Sequence, residues 1–363
     1  FSLMENPAAW LYGVDDIRVE PYHQSDITLG PDEVKIRIGS VGICGSDVHY
    51  LKHMRIGDFV VNEPMIIGHE SSGIISDVGS NVKNLKVGDR VAIEPGVPCR
   101  CCNLCKTGMY NLCEKMAFFA TPPVHGSLSK FISHPADFCF RIPDTMTLDE
   151  AAMCEPVSVG IHACRRASVQ AGMKVAILGA GPIGLVTMLV AKAFGASQVV
   201  VTDLSEQRLD IARKLEAGFC LNVTGLSSSE VSQQIIERLG NRKPDVTMDC
   251  CGFASSMKIA LKVAASGGKV CLIGMGQAEM NLPIVSAAAR EVDIFGVFRY
   301  RNTYQLAINL ISSKKIDIKP LVTDKLSLVD GFCIEKIKEG FRKAETSKGS
   351  IKVMFGLLEE GEK

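Results

Sequence analysis

The chain has 363 residues, of which 47% are hydrophobic and 22% charged, so it is long enough for two globular domains. Its 40 basic and 40 acidic residues balance, which gives no electrostatic reason to expect nucleic acid or an anionic membrane surface as a partner. No apolar run reaches transmembrane length and the first residues lack a signal-peptide pattern, so we interpret the 14 cysteines as reduced cytoplasmic thiols or metal ligands.

The first 140 residues are predicted to be rich in β-strands. The runs at 32–43, 71–79 and 88–95 are short, contain β-branched residues and close at Gly, Pro or Asp. This pattern is typical of strands joined by turns.

From about residue 170, apolar runs alternate with segments of helical length. Such alternation is typical of a parallel sheet covered by helices on both faces. The apolar runs begin near residues 174, 198, 244 and 267, with helices predicted at 182–196, 230–240 and 255–266. After about residue 295 the pattern changes to two amphipathic helices, at 303–316 and 331–345, and a last strand at 350–357.

The sequence "GAGPIG" matches the dinucleotide-binding pattern G-x-G-x-x-G between a predicted strand and a predicted helix. Gly179 allows the tight turn, Gly181 lets the backbone approach a pyrophosphate, and Gly184 permits close packing of the helix on the strand. Pro182 and Ile183 open the helix, where free N–H groups favour phosphate. A glycine turn that only packs is the alternative.

Asp203 ends the next apolar run, nineteen residues after Gly184. A carboxylate at this point can accept hydrogen bonds from the adenosine ribose hydroxyls and would repel a 2′-phosphate, which favours NAD over NADP. Arg208 can line the adenosine side of such a site, although an exposed helical arginine explains it almost as well.

A second motif places five cysteines between residues 99 and 113. Cys99, Cys102, Cys105 and Cys113 have the spacing C-x2-C-x2-C-x7-C, and four thiolates complete a closed, structural zinc site. Cys101 is expected to point away from that centre. Reduced thiols without metal, or an iron–sulfur cluster, are the alternatives.

Cys44, His69 and Glu70 are candidates for a second, open metal site. Taken alone each is a weak signal, since a lone cysteine is usually a small hydrophobe and adjacent strand residues point to opposite faces. A turn or bulge at Gly68 could bring His69 and Glu70 together, or Glu70 could act from outside the ligand set. The residues by themselves leave this site undecided.

A resemblance bears on this question. The segment 68–82, "GHESSGIISDVGSNV", fits the pattern G-H-E-x2-G-x5-G-x2-V of zinc-dependent medium-chain dehydrogenases. The motif at 44–50, the cysteine cluster and "GAGPIG" follow in the order of that family, and the similarity runs from about residue 8 to 356. Within the family, the segments 118–128, 154–167 and 290–300 resemble the sorbitol (L-iditol 2-) dehydrogenase branch, in its plant form. Ser71 and Ser72 depart from the Cys and Ala that relatives often carry.

The resemblance implies an α/β protein with two domains. A GroES-like, β-rich catalytic domain, residues 1–160 and 297–363, would hold both zinc ions, one catalytic and one structural. A Rossmann domain with a doubly wound parallel sheet, residues 161–296, would bind NAD. The family also implies a homo-oligomer, either a dimer or a tetramer, with 267–276 and 281–285 as candidate edge strands.

The resemblance further implies roles for individual residues. Cys44, His69 and Glu70 would surround the catalytic zinc, with Glu155 replacing or supporting a ligand. Ser46 and His49 would carry the hydroxyl proton towards solvent, since an imidazole can exchange a proton near neutral pH. The positions that match the cofactor and polyol sites are Val297, Phe298 and Arg299 for the cofactor, and Tyr50, Phe118, Thr121, Glu155, Arg299 and Tyr300 for the polyol.

Other histidines have weaker support. His49 could instead be a surface loop histidine, and we expect His53 and His134 to lie at the surface. The segment "ATPPVHG", which includes His125, keeps the form typical of sorbitol dehydrogenases rather than of L-idonate enzymes.

The predicted activity is hydride transfer between a polyol of the sorbitol or xylitol type and NAD, with zinc, to give the ketose. One alternative is an L-idonate or specialised-metabolite dehydrogenase on the same scaffold, where Arg299 could form an ion pair with a substrate carboxylate. A non-catalytic dinucleotide-binding protein is the other.

Overall fold

The computed structural model of the chain describes residues 6–23, 29–277, 279–346 and 349–359. The chain forms two compact units. Unit 1 consists of Phe1–Glu155, Tyr304–Ser312 and Val322–Lys363, and unit 2 of Pro156–Thr303 and Ser313–Leu321. Within the described ranges every helix is too short or too polar to cross a lipid bilayer.

The secondary structure follows the sequence prediction closely, including the strand–helix alternation after residue 170. In chain order the strands are β1 Pro7–Gly13, β2 Asp16–Pro21, β3 Glu33–Gly42, β4 Arg55–Ile56, β5 Phe59–Val60, β6 Met65–Ile66, β7 Glu70–Val78, β8 Arg90–Ile93, β9 Gly96–Val97, β10 Ala117–Phe118, β11 Phe131–Pro135, β12 Cys139–Arg141, β13 Lys174–Leu178, β14 Gln198–Asp203, β15 Phe219–Asn222, β16 Val246–Asp249, β17 Lys269–Leu272, β18 Asp293–Gly296, β19 Val322–Ser327 and β20 Lys352–Gly356. The α-helices are α1 Gly45–His53, α2 Asn103–Lys106, α3 Leu148–Ala152, α4 Cys154–Arg166, α5 Pro182–Ala193, α6 Glu206–Lys214, α7 Ser228–Arg238, α8 Ala254–Val263, α9 Ile284–Ala288, α10 Tyr304–Ser312 and α11 Ile334–Thr346.

Unit 1 is built on a mixed sheet with the strand order β12-β8-β7-β3-β20-β19, and β11 also pairs with β3. The pairs in this sheet are antiparallel except β19 with β20, which is parallel. Along β3 the buried side chains of Val34, Ile36 and Ile38 alternate with less buried ones, which is the pattern of a strand with one face on a core. The ends of β3, β7 and β20 meet, and this junction positions the first candidate metal site.

Unit 2 is a parallel six-stranded sheet with the order β15-β14-β13-β16-β17-β18. The chain order reverses between β13 and β16, so the loops after these strands open at a topological switch point. Val175, Ala176 and Ile177 of β13 are fully buried, as expected for a strand covered on both faces. The predicted doubly wound parallel sheet is confirmed.

Two expectations from the sequence are wrong. His134 is buried, at 2% exposure, and its Nε2 lies 2.8 Å from the Glu94 carbonyl oxygen. Burial lowers the pKa of His134 to about 4, although the hydrogen bond with Glu94 and the charge of Asp137 act in the opposite direction. The segment 267–276 contains β17, which lies between β16 and β18, and 281–285 leads into α9, so the outer strand on this side of the described sheet is β18.

Candidate functional site

The first candidate metal site forms where β3 and β7 bring three ligand types together. Cys44 follows β3 and is the N-cap of α1, and His69 and Glu70 stand at the start of β7. The Cys44 Sγ, a His69 ring nitrogen and a Glu70 carboxylate oxygen all lie within 4.8 Å of one another. Gly68 has φ +90°, and this turn allows two adjacent side chains to approach one centre.

Asp47 supports both the thiol and the imidazole. Its carboxylate accepts the N–H of Cys44 at 2.9 Å and of Gly68 at 3.3 Å, and its Oδ1 makes an ion-pair contact of 3.3 Å with His69 Nδ1. Burial alone would raise the pKa of Asp47, but His69 and the two backbone N–H groups hold it below its usual value. A carboxylate beside Nδ1 is typical of a histidine that binds metal through Nε2.

The ion pair with Asp47 also raises the pKa of the His69 imidazole. Burial alone would lower the pKa of His69, but Asp47 and then Cys44 raise it well above the ordinary value. A metal ion bound here would therefore displace a proton, as metal binding to protonated ligands generally does.

Lys352 is the partner of Glu70. The Lys352 Nζ lies 2.6 Å from each carboxylate oxygen of Glu70 and donates to the Ile43 carbonyl oxygen at 3.0 Å. The two side chains are 2% and 1% exposed. Burial alone would lower the pKa of Lys352, but Glu70, followed by Cys44 and Glu155, raises it. Gly42 makes room for this pair, because a Cβ there would collide with the Glu70 carboxylate.

Glu155, at the start of α4, is buried and is close enough to Lys352 and Glu94 to affect their pKa values. The group of three ligand atoms found among the described residues does not include it. Burial raises the pKa of Glu94 to about 7, and Glu155 adds to this shift. The site thus gathers several acidic groups around the cations Lys352 and His69.

This donor set fits a catalytic zinc ion. One thiol, one imidazole and one carboxylate are zinc ligands, and catalytic zinc sites use three protein ligands. A bound dication would also balance the excess of buried acidic groups, which is otherwise costly. The ligand roles of Cys44, His69 and Glu70 remain predictions, now with geometry that suits them.

The predicted proton carriers lie on α1. Ser46 and His49 are three residues apart on this helix, so their side chains are neighbours on its surface. The His49 ring stands edge-on to the ring of His53 at 4.6 Å between centroids. His53 is exposed, in agreement with the prediction.

Three predicted polyol residues also belong to unit 1. Tyr50 and Phe118 are buried, and the Phe118 ring lies 5.9 Å from the His69 ring, which places an aromatic wall beside a candidate ligand. Thr121 is half-buried and donates its N–H to the Phe118 carbonyl oxygen at 3.1 Å. His125 packs edge-on against Trp10 at 4.9 Å and against Tyr22 at 5.7 Å.

Asp47 and Lys352 were not predicted from the sequence. The signal for Asp47 was its place three residues after the N-cap, since an acid there can close a capping box with the backbone. The signal for Lys352 was a lone cation at the start of an otherwise apolar strand, because a buried lysine needs a partner. Neither signal identifies the residue with which the side chain pairs, because that residue is distant in the sequence.

The second candidate metal site is the cysteine cluster of unit 1. The four sulfur atoms of Cys99, Cys102, Cys105 and Cys113 lie within 4.8 Å of one another. The Sγ separations are 3.4 Å for Cys102–Cys105 and 3.9 Å for Cys99–Cys105 and Cys102–Cys113. A zinc ion with four thiolates at about 2.3 Å in tetrahedral geometry requires separations of about 3.8 Å. The cluster therefore fits a closed zinc site.

The backbone also favours thiolate at this cluster. The N–H groups of Cys101 and Cys102 lower the pKa of Cys99 to about 6, whereas burial and the neighbouring thiols raise the pKa of Cys105 to about 12. A bound dication would allow all four sulfurs to be deprotonated together. Cys101 is exposed and lies outside the four-sulfur group, with its Sγ 3.7 Å from that of Cys99.

We expect Cys105→Ser to remove about one zinc ion per chain and to lower the melting temperature by at least about 5 °C, because structural zinc contributes folding energy directly. Metal analysis and a thermal melt measure both effects. Cys101→Ser is the matched control and should retain the metal content and melting temperature of the parent. Equal zinc loss in the two variants would contradict the assignment of the four ligands.

The glycine loop of unit 2 has the conformation that its sequence predicts. Gly179 has φ +102°, Gly181 is the N-cap of α5, and Pro182 and Ile183 open the helix. A Cβ at Gly184 would collide with the Gly179 carbonyl oxygen, so this glycine allows the helix to approach the strand. The loop leaves the first N–H groups of α5 available to an anion.

Asp203 stands at the end of β14 and supports this loop. Its Oδ2 accepts the N–H of Ala180 at 2.7 Å, and its Oδ1 accepts the N–H of Ser205 at 2.8 Å. Each carboxylate oxygen has a second lone pair, so ribose hydroxyls can still be accepted. The Nε of Arg208 is buried and lacks a hydrogen-bond partner among the described residues. A buried donor and this carboxylate beside the loop fit the adenosine half of a dinucleotide.

The remaining predicted residues follow β18. Val297 donates its N–H to the Leu272 carbonyl oxygen at 2.9 Å, and the Arg299 guanidinium lies 4.8 Å from the centre of the Phe298 ring. Tyr300 is buried, and Arg299 has φ +52°. These residues form one short segment of unit 2.

Comparison with known proteins agrees with both halves of this description. Residues 30–144 match the alcohol dehydrogenase GroES-like domain, and residues 182–313 match the zinc-binding dehydrogenase family. The chain is 52% identical to the sorbitol dehydrogenase of Arabidopsis thaliana over 97% of its length and 96% of that protein. It is 50% identical to the L-idonate 5-dehydrogenase of Vitis vinifera, over 97% and 95% of the two chains.

A solved structure has the same fold. An oxidoreductase of unknown specificity from Escherichia coli superposes with a TM-score of 0.89 at 34% identity, covering 98% of this chain and 99% of that one. The GroES-like mixed sheet, the parallel sheet with its glycine loop and the matched family domains lead to one conclusion: the chain belongs to the zinc-dependent medium-chain dehydrogenase family.

Proposed function

We propose that this protein is an NAD-dependent zinc polyol dehydrogenase that oxidises a sorbitol- or xylitol-type polyol to the ketose. The observation that carries the proposal is the open group of Cys44, His69 and Glu70, whose ligand atoms lie within 4.8 Å of one another. The sorbitol dehydrogenase relative, identical at 52% of positions, supports the choice of substrate class.

Each unit contributes one part of the chemistry. Bound zinc would supply the Lewis acidity that makes a substrate hydroxyl acidic, and bound NAD would supply the hydride acceptor. Asp47 and Lys352 hold His69 and Glu70 in place, Ser46 and His49 pass the hydroxyl proton to solvent, and Glu155 supports the site. In unit 2 the loop of Gly179, Gly181, Pro182, Ile183 and Gly184 binds the pyrophosphate, with Asp203 and Arg208 on the adenosine side.

Specificity for a polyol requires several hydroxyl partners. Among the residues predicted for the polyol, Tyr50, Phe118 and Thr121 would supply an aromatic wall and hydroxyl groups, and Arg299 and Tyr300 would supply a guanidinium fork and a phenol. L-idonate is the second candidate, because the Vitis vinifera relative is an L-idonate 5-dehydrogenase and Arg299 could pair with a carboxylate.

A substrate panel tests the proposal. Initial rates with sorbitol, xylitol, ribitol and L-idonate, each with NAD and NADP, should give the highest kcat/KM for a polyol with NAD. A much higher value for L-idonate would favour the second candidate. Protein that binds zinc and NAD yet oxidises none of these substrates would instead support a non-catalytic role.

Metal content and assembly belong to the same proposal. We expect two zinc ions per chain, one at each candidate site. We also expect a homo-oligomer, a dimer or a tetramer, because β18 offers an outer strand and the nearby Val285 and Ile294 are exposed apolar side chains. The reduced state of the cysteines in the cytoplasm remains a prediction from composition.

Asp203→Asn tests the choice of cofactor. Asparagine keeps one oxygen for the backbone N–H groups of the loop but removes the charge that would repel a 2′-phosphate, so kcat/KM for NADP relative to NAD should rise by about tenfold or more. Asp210→Asn, an exposed acid on the next helix, is the control and should leave the ratio unchanged. An unchanged ratio in Asp203→Asn would contradict the ribose assignment.

A further inference from the structure

The segment 297–303 of unit 2 carries the predicted cofactor residues Val297, Phe298 and Arg299 and the predicted polyol residue Tyr300. It follows β18 and has no regular secondary structure. Arg299 and Asn302 both have φ +52°. Asparagine tolerates this left-handed region, but an arginine there is uncommon and strained. Contacts from elsewhere must therefore hold the segment in this conformation.

Two consecutive arginines at the end of α4 contact both ends of this segment. The Arg165 Nη1 donates to the Asn302 carbonyl oxygen at 2.7 Å. The Arg166 Nε donates to the Gly296 carbonyl oxygen at 3.3 Å, and its guanidinium lies 5.3 Å from the centre of the Phe295 ring. The end of α4 thus contacts the segment at both its start and its end. Gly296 is 130 residues after Arg166, and Asn302 is 137 residues after Arg165.

These arginines are exposed and lie outside the buried core cluster of unit 2. A cation in the last turn of a helix can be explained by the helix dipole alone. That explanation does not account for two bonds to carbonyl groups of one distant segment. Arg301, Arg166 and Arg165 all lie close enough to His162 to affect its pKa, which burial and then these three charges lower to about 4. Like charges gathered in this way need their carbonyl acceptors.

We propose that Arg165 and Arg166 form a clamp that holds the 297–303 segment in the conformation that presents its side chains and backbone to the nicotinamide and the polyol. They are positioning residues and do not touch the substrate. The inference rests on the proposed function, since it assumes that 297–300 serve the cofactor and the polyol. It adds the residues that shape this part of the site.

The test compares two ligands of the complete enzyme. NADH carries the nicotinamide ring, whereas ADP-ribose has the adenosine, the pyrophosphate and the second ribose but lacks that ring. In Arg165→Ala, Arg166→Ala and the double variant, the dissociation constant of NADH should rise by about tenfold and kcat/KM for sorbitol should fall by about ten- to hundredfold, as small misplacements do. The dissociation constant of ADP-ribose should stay within twofold of the parent value. The melting temperature should stay within about 2 °C of the parent value.

The matched control is Arg238→Ala, because Arg238 is also an exposed cation in the last turn of a unit 2 helix, α7. It should change none of these values. Arg165→Lys keeps a charged donor and should recover part of the NADH affinity. If the double variant does not fold, the same measurements on Arg165→Ala and Arg166→Ala test the clamp.

Two results would overturn the clamp. One is a double variant whose NADH affinity and kcat/KM match those of Arg238→Ala, and the other is an equal loss of NADH and ADP-ribose binding, which would indicate general damage. If the parent protein oxidises no polyol and no L-idonate, the proposed function fails, while the comparison of NADH with ADP-ribose still tests the clamp.

Discussion

Cys44→Ser should reduce kcat for polyol oxidation by at least about a thousandfold and remove about one zinc ion per chain, while the protein remains folded. A serine hydroxyl stays protonated at neutral pH and is a poor zinc ligand, so the open site would lose its anionic sulfur. Cys44 lies beside α1 rather than within the buried core cluster, so the fold should survive. Initial rates, metal analysis and circular dichroism give the three readouts.

Cys333→Ser is the control for this experiment. Cys333 is also half-buried and in unit 1 but belongs to neither group of metal ligands. It should retain both zinc ions and the parent activity. Parent-like turnover in Cys44→Ser would remove Cys44 from the ligand set, and full turnover of a folded, zinc-free parent protein would reject the zinc mechanism itself.

The parts of the site that could be predicted from sequence are those whose residues are close along the chain. The loop of Gly179 and Gly184 and the cluster of Cys99 to Cys113 have ligands fixed by local spacing, and the structure gives them geometry that fits a phosphate and a metal. Parallel strands were predictable for the same reason, since periodicity and flanking helices are local properties.

Long-range placement could not be read from spacing. Glu70 and Lys352 are 282 residues apart, and only the pairing of the last strand with β3 brings them together. His134 was expected at the surface because no motif supported a role for it, but the structure buries it in β11. A single polar residue in a strand does not indicate which face of the strand is buried. The family resemblance supplied Cys44, His69 and Glu70, but it did not supply Asp47 or Lys352.

Lys352→Met should have the largest effect on stability. In the zinc-free protein it would leave the Glu70 carboxylate buried without a cation, and such a loss costs about 3–5 kcal/mol of unfolding free energy. The loss of activity should accompany it, because Glu70 would no longer be held beside Cys44 and His69. Urea unfolding of the zinc-free variant and parent measures the stability effect, and initial rates of the zinc-loaded proteins measure the activity.

Two further variants separate the charge from the packing. Lys325→Met removes a lysine from the neighbouring strand β19, where its Nζ lies 2.8 Å from Asp149 and its side chain is 39% exposed, so the loss should be below about 1 kcal/mol. Glu70→Gln with Lys352→Met leaves no unpaired charge and should recover more than half of the lost unfolding free energy, although not the activity. The double variant could instead lose as much unfolding free energy as Glu70→Gln and Lys352→Met lose together. Lys352 would then stabilise unit 1 through its hydrogen bond to Ile43 and its packing, and Glu70 would not depend on Lys352 when zinc is bound.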